Sequence, residues 1–354
     1  MNDWWRGRRI LVTGAAGFVA SNLIRQLLDL HADVVGLDVI RDSPSLRVLG
    51  LFDVPILIRD VRNWQRVHWA MLHGNGEPDW HPPEIVFHLA GMSHPKDCQA
   101  NPVKAWENNV AGAWNVLEAC RQLPAGQIRA VVCASSDRVY GSLNPGAVPF
   151  LGDGSRVDAA VRQDSARTAW WEDDPPRQTE VYGLSKACLD LLVRAYGKGY
   201  GLPAVALRHQ NAFGCADPWR SHLVPGAICD LLEGRRPRIR GDGSTIKGYL
   251  AVEDVVQAYL ILAERAGDLA GEAVNAAPDR AVSVLEMVRL VVDAAGRVEE
   301  PDILREDLTQ SGQVEVLSNH RLRELGWAPS DTLTALRHTW AWYQKMGGMA
   351  WSSA

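Results

Sequence analysis

The chain has 354 residues, 47% of them hydrophobic and 22% charged, with a formal net charge of −5 and a pI near 6.1. This is a globular chain with a real core, long enough for one large α/β domain or two smaller ones. The absence of a long basic run excludes nucleic acid as the main partner, and no apolar run reaches the length of a membrane span. Six scattered cysteines, Cys98, Cys120, Cys133, Cys188, Cys215 and Cys229, show no paired spacing. They read as reduced thiols of a cytoplasmic protein, not as a disulfide frame or a metal site.

Arg6, Arg8 and Arg9 stand before the apolar run 10–20, the outline of a secretory signal, but two glycines interrupt the run and it continues into the amphipathic Ser21–Leu30. The pattern fits a buried strand over 8–14 followed by a helix over 21–30. Between them lies Gly14-x-x-Gly17-x-x-Ala20, where glycines permit a tight turn and close approach of a pyrophosphate to a helix N-terminus. A second strand, 34–37, ends at Asp38. An acidic residue there accepts hydrogen bonds from both ribose hydroxyls and repels a 2′-phosphate, which favours NAD over NADP.

Strands over 56–58, 84–89 and 129–134 follow, the first running into Asp60 and Val61, the second into the small residues Ala90 and Gly91. A helix opens at Asn109. His88 reads as a hydrogen-bonded structural histidine. Strands alternating with helices on this rhythm predict a doubly wound parallel sheet with ligands at the strand C-termini. From 142 to 180 the pattern dissolves into Pro, Gly, Asp and Arg, and a loop of that length in a compact domain is usually functional or mobile.

Tyr182 and Lys186 then stand four apart in a helical pattern, so phenol and ammonium share one face. A positive charge beside a phenol favours the phenolate, which can take a hydroxyl proton near neutral pH. A sixth strand, 205–208, leads to Asn211. Beyond it come a helix over 223–234, the basic run 235–240, a strand over 248–252, a helix starting at Glu253, and helices near 283–295, 318–325 and 331–345. The basic run is a solvated surface or a phosphate site.

With these pieces placed, the chain resembles the extended short-chain dehydrogenases/reductases that act on nucleotide sugars, over nearly its whole length. Within that group the run 5–14, Ser136-Asp137-Arg138, Asn211 through Asp217-Pro218-Trp219, and Leu325 through Pro329 are similar to CDP-glucose 4,6-dehydratases. The resemblance implies a Rossmann domain over 1–206 with a returning segment at about 245–277. It implies a smaller nucleotide-sugar-binding domain over 207–244 and 278–354. It implies NAD held by Gly14, Ala16, Gly17, Phe18, Val19, Asp38, Asp60, Val61, Leu89, Ala90, Gly91 and Asn109 together with Tyr182 and Lys186. Substrate contacts are implied for Ser135, His209, Asn211, Leu223, Val224, Arg238 and Lys247, and a homodimer through the helices after Asn109 and Tyr182.

In such an enzyme Tyr182 takes a sugar hydroxyl proton while NAD takes the hydride, Lys186 holds the nicotinamide ribose, and Ser136 bonds the same sugar oxygen. A dehydratase also needs an acid, which Asp137 fits, and a base, which relatives supply as glutamate or lysine. Arg138 stands there instead, and a guanidinium that stays protonated is a poor base. Two other readings stay open: a nucleotide-sugar epimerase, and an NAD-binding sensor without turnover. An Asp137–Arg138 salt bridge that merely supports the loop also stays open.

Overall fold

The computed structural model describes residues 2–76, 78–143, 157–158 and 169–346. Most of the 142–180 segment, read as a functional or mobile loop, therefore lies outside the described residues. The chain divides into two compact units. One comprises Met1–Gly141, Pro175–His209 and Val256–Val274; the other comprises Ser142–Asp174, Gln210–Val255 and Asn275–Ala354.

The first unit is built on a seven-stranded sheet. In spatial order its strands are Glu272–Ala276, Ala204–His209, Ala130–Ala134, Ile85–His88, Arg9–Thr13, Asp33–Asp38 and Ile56–Ile58. From Ala204–His209 through Ile56–Ile58 every neighbouring pair is parallel. The inner strands read as unbroken apolar runs because both faces are covered. On one face Leu11, Val86, Val131 and Ala206 pack with Val67 and Met71 of the Trp64–His73 helix, Val116 of the Gly112–Arg121 helix and Leu189 of the Val181–Tyr200 helix. On the other, Phe87 lies between Trp5 and Tyr259, with ring centroids 6.3 and 6.1 Å away.

Strand order reverses between Arg9–Thr13 and Ile85–His88, where chain connections leave in opposite directions and a crevice opens at the strand C-termini. Registers align those ends: Thr13 pairs with His88, His88 with Cys133, and Ala134 with Leu207. The returning segment, Val256–Val274, ends in the strand at the sheet's edge. The expected helix at 21–30 begins earlier, at Phe18, because Gly17 serves as its N-cap.

The second unit packs the helices Leu223–Leu232, Val284–Ala294 and Thr332–Met346 around a core that includes Phe213, Ile228, Met287, Val291 and Tyr343. Polar anchors fix its loops. Tyr343 donates its phenol hydrogen to the Asp217 carbonyl at 2.7 Å, and the Trp327 indole donates to the Asp254 carbonyl at 2.9 Å. Among the described residues, no helix is long and apolar enough to cross a membrane.

Gly197, in the last turns of the Val181–Tyr200 helix, lies against the backbone of Gly271, where a Cβ would overlap main-chain atoms. Helix propensity alone makes Gly197→Ala stabilising by about 1 kcal/mol. The overlap with rigid backbone outweighs it, as overpacking costs about 1–3 kcal/mol. A lowered urea midpoint is the expected outcome; an unchanged or raised midpoint would show that the helix does not approach the 270–271 turn this closely.

Candidate active site

At the switch point the Gly14 loop presses on the turn after Ile85–His88. Gly14 has φ +70°, and a Cβ on it would lie 2.7 Å from the Ala90 nitrogen. Both conditions admit only glycine. Gly17 caps the Phe18–Asp29 helix without a side-chain hydrogen bond, so the first-turn N–H groups, those of Phe18 and Val19 among them, have no capping side chain and present an anion site. Asp38 is fixed beside them. Its Oδ2 accepts from the Ala16 N–H at 2.9 Å, and its Oδ1 accepts from the N–H of Val39 at 2.7 Å and of Ile40 at 3.2 Å.

The facing turn, Leu89-Ala90-Gly91, is held from below. Thr13 Oγ1 accepts from the Ala90 N–H at 3.2 Å and lies 2.8 Å from His88 Nδ1. Burial, with a smaller push from the Lys186 charge, lowers the His88 pKa to about 3, so this histidine is neutral. Asn109 lies in a π turn, Glu107–Ala111, that precedes the Gly112–Arg121 helix. The wider turn aims its amide inward. Asn109 Oδ1 accepts from the Met92 N–H at 2.7 Å, and Nδ2 donates to the Met92 carbonyl at 3.1 Å and Ser185 Oγ at 2.9 Å. Asn109, expected to contact the cofactor, is thus the clamp that ties the turn to the Val181–Tyr200 helix.

That helix brings Tyr182 and Lys186, both buried, under the end of Ala130–Ala134. Lys186 Nζ donates to the Ala134 carbonyl at 2.7 Å and lies 5.9 Å from the centre of the Tyr182 ring. Burial pushes the Tyr182 phenol well above its ordinary range; the Ser136 hydrogen bond and, more weakly, the Arg138 charge pull it back, while Asp137 raises it further. The Lys186 ammonium lies 5.9 Å from the Tyr182 ring centre, held by the Ala134 carbonyl.

Ser136 caps a single 3-10 turn, Asp137–Val139. Its Oγ donates to Asp137 Oδ1 at 3.0 Å and accepts from the Arg138 N–H at 3.2 Å, and Ser136 is the strongest influence pulling the Tyr182 phenol down. The structure therefore brings together Tyr182, Ser136, Asp137, Arg138 and Lys186. Ser135 does not join them: it is buried beside Asp190. Asp60 is engaged by the Arg62 guanidinium, which holds its carboxyl below the usual range, and the Val61 carbonyl accepts from Asn115 at 2.8 Å. The partner groups at these two positions were not readable from the strand pattern.

His209 stands edge-on to Tyr259 with centroids 6.3 Å apart. In the second unit, exposed Asn211 donates to the Gly248 carbonyl at 3.0 Å. Val224 is core and Leu223 half-buried at the head of its helix. Arg238 reaches the Asp230 carboxylate at 3.4 Å, and buried Lys247 lies 3.2 Å from Glu315 and donates to Gln310 Oε1 at 3.0 Å.

A family model described as the NAD dependent epimerase/dehydratase family matches residues 10–277. The chain is 28% identical over 347 residues to a trifunctional UDP-glucose 4,6-dehydratase/UDP-4-keto-6-deoxy-D-glucose 3,5-epimerase/UDP-4-keto-L-rhamnose-reductase of Arabidopsis thaliana, covering 96% of this chain and 47% of that one. It therefore spans about half the length of that relative. It is 29% identical to a dTDP-glucose 4,6-dehydratase of Streptomyces griseus, covering 95% and 94%. Among solved structures, the UDP-glucose 4-epimerase of Thermus thermophilus in complex with NAD is 28% identical, with a TM-score of 0.73 and coverage of 95% and 99%.

The residues present fit NAD: an uncapped helix N-terminus behind a glycine whose Cβ would fill the turn, with an aspartate bonded to the same loop. Hydrogen bonds to a charged group contribute about 1.5–3 kcal/mol. Asp38→Ala is therefore expected to raise the Kd for NAD about tenfold to a hundredfold and to narrow its preference over NADP, as read by calorimetric titration. Equal affinities in the two proteins would remove Asp38 from the ribose site.

Proposed function

The chain belongs to the NAD dependent epimerase/dehydratase family, and on that premise we propose that it is a 4,6-dehydratase converting an NDP-hexose into its 4-keto-6-deoxy sugar. One observation carries the reading: Ser136 donates to Asp137 at 3.0 Å and also acts on the Tyr182 phenol, so the three side chains are neighbours. An enzyme that only oxidises and re-reduces a carbon needs the tyrosine and serine. One that also expels a hydroxyl needs a proton donor beside them, and Asp137 is in that place.

NAD, when bound, supplies hydride removal at C4 and its return at C6. A phenol held protonated by burial is a poor base alone, but it can pass protons. Tyr182 Oη takes the C4 hydroxyl proton as it gives its own to Ser136 Oγ, and Ser136 gives its proton to Asp137 Oδ1. The carboxylate becomes a carboxylic acid in the same step. Asp137 then delivers that proton to the C6 hydroxyl, which leaves as water. Arg138, permanently charged and acting on the phenol, stabilises negative charge developing on the C4 oxygen as a solvent water takes the C5 proton, and a solvent proton returns to C5 when the hydride reaches C6. Lys186 holds the ribose and orients the phenol, and Asn211, Arg238 and Lys247 hold the sugar's diphosphate and nucleotide.

The second reading, an epimerase, is favoured by Arg138 in place of a base. Incubation with NAD and a panel of CDP-, dTDP- and UDP-hexoses in deuterated water separates the two by mass. Loss of one water with deuterium at C5 is expected; an unchanged formula with an inverted hydroxyl would replace the dehydratase reading with the epimerase. Tyr182→Phe should abolish turnover, whereas a sensor would keep its output. Asp137→Asn removes the proton acceptor and should lower turnover about 10²–10⁴-fold.

We also place the protein in the cytoplasm as a homodimer. All six cysteines are free, and large apolar side chains stand in solvent on the two helices expected to pair: Trp114 on one, Leu184 and Leu191 on the other. Leu191→Glu is expected to yield a monomer in analytical ultracentrifugation. A dimer that survives it would move the interface elsewhere.

A further inference from the structure

Asp190 continues the spacing that joins Tyr182 to Lys186, so three polar side chains stand on successive turns of one helix face. All three are buried. The Lys186 ammonium has three donors. One goes to the Ala134 carbonyl at 2.7 Å. Among the described residues the ionisable groups that act on it are Asp190 from its own helix, Cys133 from the strand beneath, and Cys98 from the Pro95–Ala100 helix. Burial raises both thiols and so keeps them neutral. His88, which feels the lysine, is neutral too, and the Tyr182 phenol is protonated. Asp190 alone supplies negative charge to this ammonium.

The carboxylate is itself fixed. Its Oδ2 accepts from Arg208 Nε at 2.7 Å, with both side chains 7% exposed. Arg208 donates onward to the Tyr140 hydroxyl and lies 4.9 Å above that ring's centre. Burial raises the Asp190 carboxyl on balance, and the Arg208 charge is the largest influence pulling it back; hydrogen bonding to a guanidinium favours the ionised form.

We infer that Asp190, locked by Arg208 and Tyr140, is a positioning residue that keeps the Lys186 ammonium charged and in place beneath Tyr182. The inference rests on the dehydrogenase-type role given to Lys186 above. Burial lowers the Lys186 pKa to about 8, with Asp190 the largest opposing influence. The charge is present below that pH and lost above it. Removing the anion lowers the midpoint further, so the alkaline limb of turnover moves to lower pH.

The test is the titration of Lys186 in lysine-labelled protein by carbon NMR, which needs no substrate. A panel in which no sugar nucleotide reacts would end the dehydratase reading without touching this measurement. Asp190→Asn is expected to shift the midpoint down by about one unit or more, a tenfold loss of charged lysine above it. The alkaline limb of kcat should follow while KM for the sugar nucleotide stays unchanged. Asp190→Glu should recover much of the shift. Because Asp190→Asn takes the carboxylate away from Arg208, Asp190→Asn/Arg208→Met removes both charges and should show the same shift. A folded variant of either kind with the wild-type midpoint overturns the inference. In the unaltered protein the Asp190 carboxyl carbon should show an inflection at the Lys186 midpoint, and its absence also overturns it.

Discussion

A lysine ammonium withdrawn from water at the end of the Ala130–Ala134 strand sets the terms for the groups around it. An uncompensated buried charge costs several kcal/mol, so the fold must supply partners at fixed places. Lys186 donates to the Ala134 carbonyl of the sheet and feels the Asp190 charge from its own helix. The helix must then lie close to the sheet. The contact of Gly197 with Gly271 permits that approach at one end, and the Asn109–Ser185 hydrogen bond fixes it at the other. Segments far apart in the chain are thereby committed to one geometry.

The same burial sets phenol and ammonium against simple acid–base chemistry. It pushes Tyr182 up and Lys186 down, each toward its neutral form. A tyrosine so placed is better suited to pass a proton than to hold a negative charge, and the Ser136 hydroxyl gives it somewhere to pass one. Asp137 at the far end is half-buried.

Cations expected to meet phosphate in the second unit already have carboxylates. Arg238 lies near Asp230, and Lys247 near Glu315. Buried Lys247 would be costly without such a neighbour. Exposed Arg238 gains little from its own and is the easier of the two to redirect toward an anion.

Local rules made much of this legible. A glycine-rich turn between an apolar strand and an amphipathic helix, an aspartate after the next strand, and Tyr182 four residues before Lys186 depend on neighbours within a turn or a strand, and all appear where their spacing put them. The edge strand Glu272–Ala276 did not announce itself, because its pairing with Ala204–His209 is a long-range event that leaves no period in five residues. Asn109 could be placed on a helix, but its π turn and its three bonds to Met92 and Ser185 required the turn and the second helix to be in position. The sequence by itself determined which residues carry donors, acceptors and charge, since that is covalent chemistry. Only the tertiary structure decided which of them keep water, and burial is what bound Lys186 to the Ala134 carbonyl and raised the Tyr182 phenol.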